Sequence, residues 1–354
     1  MELMGIMKRN LSRLINDTRN YIGLLRKRPI EEVYTKLIQG TQLDHHLPNY
    51  GDDAAVIHWK DGYLLLAADG MMTRLLVNEP YAAGKASVMV TVNDIYAMGG
   101  RPLAMVNVLA SGDDVQRSKV IDGIRKGCEK LQVPMVGGHL HPDASSEAPS
   151  LSVAILGYAN KLLRSHLAAP GDDLIFAADL NGQVGCYSVV SWDANSGKTS
   201  EELIHRLEVL PIIAEKGWSQ ACKDVSNAGL LGTLSIMMEN SGRGADIDLD
   251  AIPCPPELDL LDWLVSFQSF GFILSVKPET SQSVIDLFRE RSIHAAVVGR
   301  VTEQRKVTIR SGSESQTVFD FTTDRITGIT CQLAGAHPNI EMRKVMTGGR
   351  KNSG

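Results

Sequence analysis

Asp94 is the residue that most constrains how this chain can fold. It stands within Pro80–Met98, a stretch rich in Ala and Met whose pattern predicts a helix, among Val90, Val92, Ile95 and Met98. A carboxylate in such surroundings is costly to bury alone, so the fold must bring a cation or a basic side chain to meet it. Other aspartates also sit where an apolar run begins or ends. Gly51-Asp52-Asp53 precedes Ala54–His58, and Asp69 closes Leu64-Leu65-Leu66-Ala67-Ala68 directly before Gly70. Taken alone, Asp52 and Asp53 read as a solvated turn. Asp69, at a strand end beside that loop, favours a shared site. Converging carboxylates repel one another unless a divalent ion neutralises them, and an all-oxygen ligand set favours Mg²⁺. Asn93 would add an amide ligand or a hydrogen bond.

The elements around these residues follow from periodicity and punctuation. Residues 8–40 show helical spacing, with Leu11, Leu14, Ile15, Ile22 and Leu25 on one face, and Pro29 opens a second short helix over Ile30–Ile38. Ala54–His58 and Tyr63–Ala68 form a hairpin about Asp61-Gly62. The Pro80–Met98 helix is closed by Gly99-Gly100 and Pro102. A strand over Leu103–Leu109, a helix over Val115–Leu131 and strands over Pro134–Val136 and Leu151–Tyr158 follow. A polar connection from Asn160 to Pro170, ending in Gly171-Asp172-Asp173, marks a domain boundary. Beyond it come strands at Leu174–Ala178, Phe270–Val276, Ala295–Val301 and Val307–Arg310, and helices at Glu201–Leu210, Gly229–Glu239 and Gln282–Arg291. The order lacks a strict βαβ rhythm, so the fold class is α+β. With 354 residues, two domains are expected. The expected division is an N-terminal helical segment at 1–45, domains at 46–160 and 161–330, and a tail at 331–354. That tail is rich in Gly, Lys and Asn from His337 and is expected to be partly disordered.

Composition removes several classes of function. The net charge is -5 with no block of like charge, which argues against nucleic acid as a partner, because phosphate neutralisation needs clustered Lys and Arg. The five cysteines lack C-x-x-C spacing and read as reduced, packed thiols. Met1–Leu25 has no signal-peptide core, and no run approaches the roughly 20 apolar residues of a membrane span. A soluble, cytoplasmic protein is expected.

Three further segments carry weaker signals. Gly137-Gly138 follows the Pro134–Val136 strand, as a plain turn or as a place where backbone N–H groups approach a phosphate. His139 and His141 make an H-x-H pair, but a zinc site lacks its further ligands there. Ser196-Gly197-Lys198-Thr199 has Trp192 where a P-loop needs its first glycine, and is read as a polar loop capping the helix from Glu201. Ahead of the helix from Leu230, Asp224-Val225-Ser226-Asn227-Ala228-Gly229 allows two readings. Ser226 or Asn227 is an N-cap, or Asp224 joins the acidic cluster while the helix N-terminus faces a phosphate.

In order, Gly51–Val56, Asp69, Val92–Pro102, Gly137-Gly138, Pro170–Asp172, Asp224–Leu230 and Ser241–Ala245 resemble the superfamily of aminoimidazole ribonucleotide (AIR) synthase and thiamine-monophosphate kinase. Ser266–Phe272 looks like the second-domain signature of the AIR synthase-related branch. The resemblance implies a two-domain PurM-like homodimer whose N-terminal domains pair into a shared β-barrel, with ATP and Mg²⁺ in a cleft at the interface. It implies Mg²⁺ ligation by Asp53, Asp69, Asp94 and Asp224, beside Asp52, and nucleotide contacts from Gly137, Gly138, Arg164 and Ser226. The chain departs from the kinase pattern at His139 and Asn227, where the kinase carries aspartates, and at Ser269–Leu274, where its acidic substrate motif stands. Fewer metal ions than in the kinase are therefore expected. The implied activity is ATP- and Mg²⁺-dependent phosphorylation of an oxygen of a small metabolite, with His139 as candidate general base. The alternatives are thiamine-monophosphate kinase itself and a nucleotide-binding regulatory protein with reduced catalysis.

Overall fold

The computed structural model describes residues 11–40 and 51–330. The tail at 331–354 and the ends of the N-terminal segment lie outside the described residues. The helical segment is split in three: α1 (Leu11–Asn20), α2 (Ile22–Leu25) and α3 (Ile30–Gly40). Extended backbone at Tyr21 (φ -62°, ψ 128°) breaks the first two apart. These helices pack against the C-terminal half of the described chain. Arg19 holds both carboxylate oxygens of Asp324, at 2.8 and 2.9 Å, and the Val318 carbonyl at 2.6 Å.

β1 (Ala55–Trp59) and β2 (Gly62–Gly70) form the expected hairpin, with Trp59 paired to Gly62 and the turn at Lys60-Asp61. Then come α4 (Thr73–Asn78), α5 (Pro80–Ala97), β3 (Arg101–Ala110), α6 (Asp114–Leu131), β4 (Met135–His141) and β5 (Ser150–Ala159). The five strands order as β1-β2-β5-β3-β4; only β3 and β4 run parallel. Helix α5 covers one face through Val88, Val92 and Ile95, which meet Leu65, Val153 and Ile155 in the core. α6 lies on α5 at very close range, because a Cβ at Gly84 would stand 2.1 Å from the Val120 carbonyl and one at Gly123 2.1 Å from that of Tyr81.

The second half opens with β6 (Asp173–Ala178), followed by β7 (Gln183–Val184), β8 (Ser191–Asp193), α7 (Ser200–Leu207), α8 (Val209–Glu215) and β9 (Ser219–Asp224). α9 (Gly229–Ser241), β10 (Gly244–Asp248), α10 (Leu260–Val265), β11 (Phe267–Gln268) and β12 (Gly271–Val276) continue it. α11 (Pro278–Arg289), β13 (His294–Thr302), β14 (Lys306–Ser311) and β15 (Glu314–Asp320) complete it. Seven strands form one sheet, β15-β14-β10-β13-β6-β12-β9, and β11-β8-β7 form a small one. The mixed α+β architecture agrees with the expected class. The first sheet is open, with β1 and β4 at its edges, and no closed barrel forms within the described residues.

Three local expectations are corrected. Gly137-Gly138 is no turn: β4 continues through both, in register with Val106 and Asn107. A side chain at 138 would strike the Asn107 carbonyl at 2.7 Å, which accounts for glycine there. The Glu201–Leu210 helix is two helices that meet at Glu208, with Pro211 in the first turn of α8. Neither Ser226 nor Asn227 caps α9; Ala228 holds the N-cap without a side-chain bond. The polar loop before α7 behaves as expected, with Thr199 and Glu202 forming a capping box. No helix among the described residues is long and apolar enough to cross a membrane.

Candidate metal and nucleotide site

Asp53 leads into β1, Asp69 ends β2, Asp94 rides on α5 and Asp224 ends β9. The fold gathers them where the two halves meet. Carboxylate oxygens of Asp53, Asp94 and Asp224 lie within 4.8 Å of one another. On β2, Asp69 is in register with Val153, on the face that α5 covers. Burial is the main reason the Asp224 carboxyl is pushed up to about 8, with the neighbouring Asp53 charge adding to it. Burial, followed by repulsion from Asp69, Asp224 and Asp53, raises Asp94 well above the usual carboxylate range. Asp69 opens onto the cavity but is crowded by protein elsewhere, and this desolvation raises it as well. Crowded carboxyls that resist ionisation together and offer only oxygen are the kind of donors a hard cation takes, and Asp53, Asp94 and Asp224 stand at the spacing for one.

One basic group already stands in the cluster. Lys223, the neighbour of Asp224 on β9, forms an ion pair with Asp53 and donates to the Gly51 carbonyl at 3.3 Å. Its burial opposes the charge, but Asp53 and Asp224 outweigh that and its pKa is raised. The other oxygen of Asp53 accepts from the Asp224 amide at 3.4 Å.

Asp52 does not join this cluster. Its side chain is fully buried and points the other way, accepting from Arg164 Nε at 2.5 Å, Ser165 N at 2.8 Å and Ser165 Oγ at 2.9 Å, with His166 Nδ1 at 3.4 Å. Burial opposes its charge, but the hydrogen bond from His166 and the charge of Arg164 outweigh it and hold the carboxyl below its usual range. The Arg164 guanidinium is correspondingly engaged at the seam between the halves. Asn93 is a hydrogen-bonding residue here, donating to the Ser269 carbonyl at 3.1 Å.

The cluster faces a cavity of about 620 Å³ between the halves. Ser226 and Asn227 reach it from the turn before α9, as do Lys27 from the N-terminal helices and Lys85 from α5. Met71, Met89, Val189 and Phe267 supply apolar wall. Glu79 ties the loop before β8 to the start of α5 by accepting from the amides of Tyr187 (3.2 Å) and Ser188 (2.9 Å). Gly137, Gly138 and His139 are not in the cavity wall. They sit on the edge strand β4, exposed, with His139 across from Val108 and stacked edge-on to His141. Lys27, Lys85 and Lys223 were not singled out from sequence; the only local sign was a lysine interrupting the approach to Asp224.

The chain belongs to the AIR synthase related family. Residues 51–159 match the AIR synthase related protein N-terminal domain, and residues 169–312 match the C-terminal domain. It is 38% identical over 320 residues to the uncharacterized protein sll0787 of Synechocystis sp., across 90% of this chain and 99% of that protein. Among solved structures it resembles T. maritima PurL complexed with ATP (TM-score 0.65, 18% identity, 95% of this chain and 57% of that one). It also resembles AaThiL complexed with AMPPCP and TMP (TM-score 0.60, 18% identity, 81% of this chain and 95% of that one). At these identities the structural likeness shows the PurM-like fold, and the chain spans little more than half of the PurL chain.

Proposed function

We propose that this protein binds ATP with Mg²⁺ in the cavity between its halves and transfers the terminal phosphoryl group to an oxygen of a small metabolite. The observation that carries this reading is the convergence of Asp53, Asp94 and Asp224, from both halves, on one cavity. The ATP and AMPPCP complexes of structures sharing the fold support it. Asp53, Asp94 and Asp224 would hold the ion, with Asp69 beside them. When bound, Mg²⁺ supplies charge neutralisation at the phosphate oxygens. Ser226 would contact the nucleotide, Lys27 and Lys85 would balance its phosphates, and the apolar wall would exclude water from the reacting groups.

The reading includes a homodimer and a division into domains at 46–160 and 161–330. The uncovered face of the first sheet carries Leu66, Val106 and Val108, each more than two-fifths exposed, with His139 on the same face. Pairing this face with that of a second copy would complete a barrel and would draw β4, with Gly137, Gly138 and His139, into the interface. Titration calorimetry with MgATP tests the site. Asp94→Asn should abolish binding while leaving the melting temperature and the oligomeric state intact, and an unchanged affinity would refute the reading.

A further inference from the structure

A buried lysine inside a cluster of metal-ligating type is unexpected, because it competes for the charge that a metal needs. Lys223 meets Asp53 through the same carboxylate that borders Asp94 and Asp224. Both oxygens of Asp53 are engaged, one by Lys223 and the other by the Asp224 amide. Lys223 is also held from a second side by the Gly51 carbonyl. It therefore has a fixed place in the cluster, and only 8% of it is exposed.

We infer that Lys223 is a tethered cation that stands in for one divalent ion, so that the cluster accepts a single metal, and accepts it weakly until a polyphosphate adds negative charge. The inference rests on the metal site proposed above. Its physical basis is counting and geometry. The three carboxylates that converge (Asp53, Asp94 and Asp224) carry three negative charges, which one divalent ion and the resident ammonium balance, whereas two divalent ions would exceed them. An incoming ion on Asp53 must displace Lys223 or lie beside it, and two cations sharing one carboxylate repel each other. A nucleotide relieves that repulsion, because a freed Lys223 Nζ gains phosphate oxygens in place of Asp53. Metal and nucleotide would then bind with positive coupling, each strengthening the other by the same factor.

The test uses the full chain with Mn²⁺ alone as the probe, followed by calorimetry and by the electron paramagnetic resonance of the free ion. Lys223→Met and Lys223→Gln, which remove the charge, should bind Mn²⁺ at least about tenfold more tightly than wild type, or take a second ion per chain. Lys223→Arg, which keeps the charge, should stay near wild type. Two neutral variants guard against one failing to fold, and circular dichroism checks each. Equal or weaker Mn²⁺ binding by the folded neutral variants overturns the inference while leaving the metal site standing. Absence of Mn²⁺ binding in every form, with or without ATP, would overturn the metal site as well.

Discussion

Asp52 and Asp53 are adjacent in sequence and opposite in role, and replacing Asp52 separates the two. In Asp52→Ala, Arg164 loses the carboxylate it is paired with and the Ser165 amide loses its acceptor, while the Ser165 hydroxyl keeps the Gly51 carbonyl at 2.8 Å. The Arg164 side chain is only 10% exposed, so water compensates little for the lost ion pair. Breaking one member of a buried pair costs about 3–5 kcal/mol. That is a large share of the roughly 5–15 kcal/mol by which a domain is stable. Urea unfolding followed by circular dichroism should therefore show a much lower midpoint with little change in slope. Mn²⁺ affinity, measured where the variant is folded, should fall far less than in Asp94→Asn. An unchanged midpoint combined with lost Mn²⁺ binding would refute the reasoning, because it would make Asp52 a ligand and leave Arg164 without need of it.

The remaining expectations concern pH, the α9 anchor and helix packing. Because the Asp224 carboxyl is raised from 3.8 to about 8, the folded chain keeps a proton that the unfolded chain loses between those values. Metal-free stability from this group is thus full below about pH 4 and is lost as pH climbs towards 8. Mg²⁺ displaces the proton, so the rise in melting temperature on adding Mg²⁺ should be greater near pH 8 than near pH 6; equal rises would count against a shared site. Glu239 on α9 accepts from the amides of Ile326, Thr327 and Gly328 and from the Thr327 hydroxyl. Glu239→Ala strands buried donors at about 1–3 kcal/mol each; it should speed hydrogen exchange at 326–328 and weaken nucleotide binding, since Thr327 lines the cavity. Gly123→Ala would place a methyl 2.1 Å from the Tyr81 carbonyl, and the forced separation of α5 and α6 should cost about 1–3 kcal/mol, read as a lower melting temperature.

What was legible in the sequence depended on whether the cause was local. α5, α6 and the β1–β2 hairpin announce themselves because their apolar spacing and their turn residues lie within each element. β9 does not. Ser219–Asp224 contains Gln220, Lys223 and Asp224, and is a strand because β12 offers its backbone partners from Phe272 to Val276. β10 and β15 are polar enough at Asp246, Asp248 and Glu314–Thr317 to escape for the same reason. In the site, Asp69 and Asp94 stand out in the sequence as carboxylates out of place at apolar segments, whereas Asp53 taken alone reads as a solvated turn and Asp224 allows two readings. Their convergence requires both halves and was reached through resemblance rather than spacing. Asp52 looked like a ligand because its partner Arg164 is 112 residues away. Lys223 went unnoticed because a Lys-Asp pair in sequence ordinarily means two solvated charges.

Those two long-range ion pairs explain why the site sits on the seam. Asp52 with Arg164 and Ser165, and Asp53 with Lys223, join the same short loop to two separate segments beyond β5. Asn240 secures that loop further by donating to the Gly51 carbonyl at 2.9 Å and to Ser165 Oγ at 3.2 Å. The loop before β1 is thus fixed through side chains of the other half, and Asp53 inherits its position from them. Neither half alone would hold Asp53 beside both Asp94 and Asp224. A shift of the halves would move Asp53 and Lys223 relative to Asp94, so metal affinity should report on the seam, with Asp52 acting on it as a positioning residue rather than a ligand.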